Sequence, residues 1–238
     1  MTGSIMEKIT PPQHAPLTGL DQCGQITVKL IQSYGDDQTP LHAARVSTAR
    51  DELNYDRDQD IRLARYLLRH GHTSPFEHLG ATIMIVCPVF IARQIMRHRT
   101  FSYNEMSRRY TDADLEVYEF PELFSQHSSA LQCSDERTPL IGGSQLQEQI
   151  TRSHESSIAL YRYLIRRGVA REQARAVLPQ AMMTRFYMTG NLHNWLKFIA
   201  LRDTEHAQKE AREITQKISA LLSAQFPITM MIAQEEVL

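Results

Sequence analysis

Hydrophobic and polar positions along the chain follow two different periods. Residues 26–34 alternate apolar and polar side chains, which predicts a strand. The β-branched run at 80–87 predicts a buried strand, and residues 182–188 predict a third. Apolar residues recur at helical spacing elsewhere, and the predicted helices cover residues 41–50, 58–70, 88–99, 145–167, 171–178, 191–201 and 205–225.

The order of these elements is mixed, without the regular strand–helix alternation of a parallel βαβ array. The sequence therefore predicts an α+β fold in a single domain over residues 26–238, preceded by a flexible leader at 1–25. Ser74 and Pro75 predict the cap and first residue of a short helix. The remaining polar segments predict a loop with a short strand at 100–118 and a surface insertion at 126–144.

Composition narrows the possible partners. Hydrophobic residues make up 42% of the chain and charged residues 22%, which is typical of a soluble globular protein. The net charge of −1 argues against a protein that binds nucleic-acid polymers over a broad surface. No apolar stretch reaches the roughly 18 residues of a membrane helix, so we expect a cytoplasmic protein. The cysteines Cys23, Cys87 and Cys133 are too far apart to predict a zinc site or a disulfide framework.

A fourteen-residue segment at 97–110 concentrates the candidate chemistry. It contains four arginines but only one acidic residue, Glu105. This excess of positive charge indicates an anionic ligand, because planar guanidinium groups bind phosphate or carboxylate through paired hydrogen bonds. The same residues also allow a solvated loop whose arginines pair with Asp112 and Asp114.

A second cluster, residues 70–78, contains three histidines and Glu77. No two of these histidines stand four residues apart, as a helical metal site would need, and glycine and proline interrupt the segment. A loop that contacts a cofactor, or a plain surface loop, fits this pattern better than a metal site.

The spacing Arg97-His98-Arg99, seven residues, then Ser107 is the signature of the flavin-dependent thymidylate synthases. The sequence resembles that family over about residues 26–230, with further matches at 74–78, 88–99, 102–107, 171–179, 184–186, Asn191 and 201–208. The resemblance implies the fold of that family, with a mixed or antiparallel β-sheet flanked by helices. It also implies an enzyme that methylates dUMP at uracil C5 to give dTMP. The carbon would come from 5,10-methylenetetrahydrofolate and the hydride from FAD reduced by NADPH, in a homotetramer with shared active sites.

The resemblance also implies roles for individual residues. The residues that would bind dUMP are Gln94, Arg97, Glu105, Ser107, Arg108, Arg109, Arg175 and Arg202. Those that would lie against FAD are His72, Ser74, Glu77, His98, Arg99, Asn191, His193, Lys197 and His206. His193, Lys197 and Arg108 differ from the residue types common at these positions in the family, and at position 108 glycine is common.

The expected catalytic residues are Arg202, Ser107 and His72. We expect no cysteine nucleophile, because Cys87 falls in an apolar strand. Activation of uracil would then be electrostatic, with Arg202 near a uracil carbonyl and Ser107 as a phosphate-binding hydroxyl. Two other classes of protein remain open on the residues alone: a non-enzymatic nucleotide- or RNA-binding module, and a flavin-free hydrolase with a metal at residues 70–78.

Overall fold

The computed structural model describes residues 24–47, 56–130, 132–236 and 238. In these residues the strands are β1 (Thr27–Tyr34), β2 (Gly80–Pro88), β3 (Ser102–Glu105), β4 (Phe124–Gln126), β5 (Ser134–Pro139) and β6 (Met183–Asn191). The α-helices are α1 (Thr39–Val46), α2 (Arg57–Arg69), α3 (Val89–Ile95), α4 (Gly143–Arg166), α5 (Arg171–Ala174), α6 (Leu192–Arg202), α7 (Lys209–Gln225) and α8 (Pro227–Glu236). Short 3-10 helices cover Ser74–Glu77 and Arg175–Val177.

Four strands form one antiparallel sheet in the order β1-β2-β6-β3, and β4 pairs with β5 separately. The central strand β2 is buried along its length except at half-buried Val86, which explains its unbroken apolar run. Helices α3, α6 and α7 pack against β2. The predicted α+β fold, with an antiparallel sheet flanked by helices, is confirmed.

Several predicted boundaries differ from the structure. The helix predicted over 88–99 ends at Ile95, so Arg97 lies in the turn that follows it. Ser74 is the first residue of its 3-10 helix and provides no side-chain capping bond. The helix predicted over 171–178 divides into α5 and a 3-10 helix, and the one predicted from 205 begins at Lys209. Residues 1–23 of the predicted leader, and 48–50 of the first predicted helix, lie outside the described residues.

Helix α8 was not predicted from the sequence. Its N-terminus is held by Asp37, which is 191 residues away from Ile228 along the chain. The Asp37 carboxylate accepts from the backbone N–H groups of Ile228 (3.0 Å) and Thr229 (2.8 Å) and from the Thr229 hydroxyl (2.7 Å). A carboxylate at this end of a helix satisfies free N–H groups and complements the helix dipole.

An aromatic contact fixes the connection between α3 and β3 over the sheet. Phe101 packs edge-on against Trp195 of α6, with ring centroids 4.6 Å apart. A Cβ atom at Gly190 would lie 2.5 Å from the Phe101 ring, so glycine is what allows this ring to approach β6. The Trp195 indole N–H is shared between the Ala81 (3.3 Å) and Gly190 (3.1 Å) oxygens. No helix in the described residues is long and apolar enough to cross a membrane.

Candidate active site

The turn after α3, residues 96–101, carries the first group of site residues and is held by Tyr103 of β3. The Tyr103 hydroxyl donates to the backbone oxygens of Ile95 (3.1 Å) and His98 (3.0 Å). Burial raises the pKa of Tyr103 to about 12, so this hydroxyl keeps its proton at neutral pH. The tether fixes the turn against the sheet.

Side chains in this turn alternate in exposure. Arg97 and Arg99 are exposed, whereas His98 between them is half-buried and packs edge-on against Phe198, with ring centroids 4.8 Å apart. Within the described part of the chain, neither arginine side chain makes a hydrogen bond or an ion pair. Two uncompensated guanidinium groups therefore flank a histidine that is fixed by packing.

Arg202, in the last turn of α6, reaches the same turn. Its Nε donates to His98 Nε2 at 3.0 Å, and its Nη2 donates to the Gln94 backbone oxygen at 3.2 Å. Burial, together with the charge of Arg202, lowers the pKa of His98. The imidazole is therefore neutral at neutral pH and its Nε2 accepts, while its second nitrogen carries the proton.

Gln94 is fixed from a second side by Gln208, just before α7. The Gln94 side-chain Nε2 donates to Gln208 Oε1 at 2.6 Å. Gln94 and Arg202, expected at dUMP, and His98, expected at FAD, thus belong to one hydrogen-bonded group. The structure brings the two sets of predicted residues together at this point.

The remaining expected dUMP residues follow β3. Glu105 accepts from the Thr184 hydroxyl of β6 at 2.7 Å. The half-buried Ser107 side chain accepts from the backbone N–H of Arg109 at 3.3 Å. This bond orders the turn at 107–110 and keeps the Ser107 hydroxyl near the N–H groups of the turn.

Ion pairs connect this turn to α5. Arg109 lies 3.7 Å from Glu172, and Arg171 lies 3.3 Å from Asp112. Arg175 follows α5 directly and is exposed, and in the described residues its side chain has no ion pair. These two ion pairs therefore bring residues 107–112 and the segment that carries Arg175 to one region of the surface.

The Arg108 side chain turns away from that surface. It donates to the backbone oxygens of Ala113, Asp114 (2.7 Å) and Met183 (3.3 Å). The Asp114 carboxylate lies 3.7 Å from Arg185. The aspartates that the sequence offered as partners for the arginines of 97–110 are thus paired with arginines outside that segment.

The expected FAD residues on α6 lie beside the 3-10 helix at 74–77. Burial lowers the pKa of His193, with Lys197 acting in the same direction and Glu77 against it. The contact between α6 and this 3-10 helix brings Glu77 to the side of α6 that carries His193 and Lys197. Asn191 accepts from the backbone N–H of Asn194 at 2.9 Å and caps α6. His72 and Ser74 are exposed in the preceding segment.

His206 lies in the connection between α6 and α7, on a groove of about 760 Å³ that the β4–β5 hairpin forms with residues 203–216. Its backbone oxygen accepts from the Cys133 thiol at 3.5 Å. The predicted insertion at 126–144 thus includes one wall of a groove beside an expected FAD residue, and Arg212 and Glu136 join the two walls at 2.6 Å.

Comparison with known proteins decides the family. The family model described as thymidylate synthase complementing protein matches residues 29–228. The chain belongs to the flavin-dependent thymidylate synthase family. The curated flavin-dependent thymidylate synthase of Pseudothermotoga lettingae is 38% identical over 202 residues, covering 85% of this chain and 87% of that protein. The protein of the same name from Thermus thermophilus is 36% identical over 215 residues, covering 89% and 76%.

A solved structure agrees with this family. The UMP/dUMP methylase PolB from Streptomyces cacaoi, bound with 5-Br dUMP, superposes with a TM-score of 0.80 at 33% sequence identity. The alignment covers 90% of this chain and 96% of that one. Membership of a flavin-dependent thymidylate synthase family decides for an enzyme that uses FAD, and against the binding module and the flavin-free hydrolase.

The environment of Cys87 agrees with the prediction of an inert thiol. Cys87 is fully buried in β2. Burial, reinforced by the charge of Glu105, raises its pKa far above neutral, so no thiolate forms there. Cys133 is partly exposed on the hairpin, and Cys23 lies outside the described residues.

Sequence reasoning gave no role to three residues that shape this site. Tyr103 tethers the turn at 96–101, Thr184 binds Glu105, and Gln208 binds Gln94. Thr184 and Gln208 are 79 and 114 residues from their partners, so no local pattern connects them. Only the resemblance marked the segments that contain them.

Proposed function

We propose that this chain converts dUMP to dTMP by methylating uracil C5, with 5,10-methylenetetrahydrofolate as carbon donor and NADPH as reductant of bound FAD. The names of its relatives and the 5-Br dUMP bound to PolB support this reaction. The observation that carries it is the group formed by Arg202, His98 and Gln94, which fixes a guanidinium beside two unpaired arginines.

The nucleotide phosphate would bind the turn after β3. Arg97 and Arg175 have no anionic partner in the described residues, and Arg109 has only the exposed carboxylate of Glu172 at 3.7 Å. The Ser107 hydroxyl and the backbone N–H of Arg108 add neutral donors. Charge-assisted hydrogen bonds of this kind bind phosphate, and the surplus positive charge stabilises its two negative charges.

Arg202 would act on the uracil ring. Its Nε and Nη2 are fixed by His98 and Gln94, whereas Nη1 has no partner in the described part of the chain. A fixed cation at a uracil carbonyl stabilises the negative charge that builds up as C5 becomes nucleophilic, without reorganisation during the reaction. Because Cys87 is buried and protonated, this chain offers no thiolate there to activate the ring.

The residues expected at FAD fit the chemistry of that cofactor. Arg99 is an unpaired cation suited to a diphosphate, and Lys197 and His193 add donors on α6. The neutral His98 offers a flat half-buried ring at the junction with the dUMP residues. Bound FAD, once reduced, supplies the hydride. The chain's own part is to hold the two ligands next to each other.

The homotetramer implied by the resemblance is supported by helix α4. Of its 24 residues only Tyr161 is fully buried. Leu146, Leu160 and Tyr163 are 40–51% exposed, and their spacing places all three on the solvent-facing side of the helix. We infer that this face packs against a second copy of the chain, and that exposed arginines of one copy then act on ligands held by another.

The reaction is tested directly by product analysis. Purified protein is incubated with dUMP, 5,10-methylenetetrahydrofolate, NADPH and FAD, and dTMP is quantified by chromatography. We expect dTMP only in the complete mixture, and we expect Arg202→Met to abolish it while the protein remains folded. Absence of dTMP from the complete mixture with FAD-loaded protein would contradict the proposal.

A further inference from the structure

The guanidinium of Arg108 binds backbone oxygens of a loop and of the neighbouring strand β6. Its acceptors are the oxygens of Ala113 and Asp114 on the loop and of Met183 at the start of β6. The Met182 sulfur lies 3.8 Å away as a further weak acceptor. The Arg108 side chain therefore joins the loop at 107–114 to the sheet.

The hydrogen bonds of the Arg108 guanidinium, here called the Arg108 clamp, hold Asp114 in an unfavourable backbone conformation. Its φ of 51° is in the left-handed region, and it is the only non-glycine residue with a positive φ in the described residues. This conformation is unfavourable for a residue with a Cβ and persists where surrounding contacts hold it. Here Arg108 Nη2 binds its carbonyl at 2.7 Å, and Arg185 lies 3.7 Å from its carboxylate.

The clamped loop carries the expected phosphate ligands. Ser107 and Arg109 flank Arg108 in the chain, and Arg109 and Asp112 hold α5 through their ion pairs with Glu172 and Arg171. A shift of the loop at Asp114 would therefore displace the loop's own donors and the segment that carries Arg175. The guanidinium that prevents this shift is bound to carbonyl oxygens and is not presented to the phosphate.

We propose that Arg108 is a positioning residue for the dUMP phosphate: its guanidinium holds the 107–114 loop against β6, with Asp114 left-handed, so that Ser107 and Arg109 face the ligand. This inference rests on the proposed function, because it takes the loop as the phosphate site. It reassigns the side chain of Arg108, which the resemblance had placed among the residues that bind dUMP.

The first test compares Arg108→Met with wild-type holoenzyme. Methionine keeps the length and apolar packing of the stem but removes all the donors. We expect KM for dUMP to rise at least tenfold and kcat to change less than threefold, since the ring and flavin residues stay in place. The matched control is Arg62→Met on α2, because Arg62 is exposed and, in the described residues, has no ion pair. An unchanged KM, or a fall in kcat as large as the rise in KM, would overturn the proposal.

The second test separates positioning from direct contact. Glycine adopts a positive φ without steric cost, so Asp114→Gly favours the loop conformation even when the clamp is gone. In the double variant Arg108→Met, Asp114→Gly we expect KM to recover at least threefold from that of Arg108→Met. A direct phosphate contact by Arg108 is indifferent to residue 114, and the absence of recovery would therefore contradict positioning.

A second variant tests the role of Arg108 if Arg108→Met does not fold, and a binding measurement tests it without turnover. If Arg108→Met yields no soluble protein, Arg108→Lys is measured, since a single ammonium group cannot bridge the carbonyls; a wild-type KM in that variant would overturn the proposal. Calorimetric titration of dUMP into each variant reports the same loss of affinity without turnover. Failure of wild-type protein to make dTMP would count against the proposed function, whereas equal dUMP affinity in all variants would count against the role of Arg108.

Discussion

At the scale of single residues, the arginines of the 97–109 segment divide by what they contact. Arg97 and Arg99 have no partner in the described part of the chain, whereas Arg108 is bound to three backbone oxygens. Arg109 faces a carboxylate at 3.7 Å. Composition gave all four arginines the same character, and only the contacts separate cations available to a ligand from one that holds the backbone.

The first prediction concerns Arg97. Arg97→Ala should weaken dUMP binding by roughly 1.5–3 kcal/mol, because a hydrogen bond from a charged group to the nucleotide is lost. Since about 1.4 kcal/mol corresponds to a tenfold change, the dissociation constant should rise at least tenfold. Calorimetric titration measures it, with exposed Arg62→Ala as the control. Unchanged affinity in a folded variant would remove Arg97 from the site.

The second prediction concerns Cys87. Cys87→Ala should leave kcat largely unchanged, because the thiol is buried and protonated. The small cavity should lower the free energy of unfolding by about 1 kcal/mol. Turnover and urea unfolding are measured on the same preparation. Complete loss of dTMP formation in a variant that remains folded and loaded with FAD would instead indicate cysteine catalysis.

At the scale of secondary-structure elements, the sequence predicts the strands and helices whose own residues carry a clear hydrophobic pattern. The sequence predicts strand β2 because a central strand is apolar along its length, and α2 because its apolar residues recur at helical spacing. Helix α8 escaped prediction because its cap, Asp37, comes from the other end of the chain. The contacts of the site escaped prediction for the same reason, because their partners are distant along the chain. The bond between Arg202 and His98, for example, spans 104 residues.

The third prediction follows from that distant cap. Asp37→Ala removes the acceptor of the Ile228 and Thr229 N–H groups and should lower the free energy of unfolding by roughly 1.5–3 kcal/mol. Asp37→Asn keeps an oxygen acceptor without the charge and should lose about half as much. Equilibrium unfolding in urea measures both. Equal stability of all three proteins would show that α8 does not depend on this cap.

At the scale of the whole molecule, three partly buried histidines connect stability to pH. Burial lowers the pKa of His98, His154 and His193 from the ordinary value of 6.5. The unfolded chain therefore binds more protons than the folded one in the window between each lowered pKa and 6.5. Stability contributed by neutral histidine is complete above that window and declines as pH falls through it.

The fourth prediction follows from this loss of stability on acidification. The free energy of unfolding should decrease as pH falls below about 6.5, and the decrease should be smaller in His98→Gln, which has no proton to gain. Urea unfolding at a series of pH values measures the slope. A slope unchanged in His98→Gln, or stability that increases on acidification in this range, would contradict the assignment of His98 as a neutral acceptor for Arg202.

The fifth prediction concerns assembly. Leu160→Asp on α4 places a charge on the exposed apolar face and should reduce the particle mass measured by light scattering, since burial of an unpaired carboxylate at an interface is unfavourable. Glu155→Lys on the same helix is the control, because Glu155 is exposed and lies about 140° from Leu160 around the helix axis. Dissociation should also lower dTMP formation if the sites are shared. A tetramer that persists in Leu160→Asp would exclude this face as the interface.

We propose that the group formed by Arg202, His98 and Gln94 holds uracil next to FAD. The most direct test is the visible absorption of FAD-loaded protein that has been reduced with NADPH without oxygen, followed by addition of dUMP and 5,10-methylenetetrahydrofolate. We expect the oxidised flavin spectrum to return in step with dTMP formation in wild-type protein and not in Arg202→Met. Flavin that stays reduced in wild-type protein, or that is reoxidised equally in Arg202→Met, would contradict it.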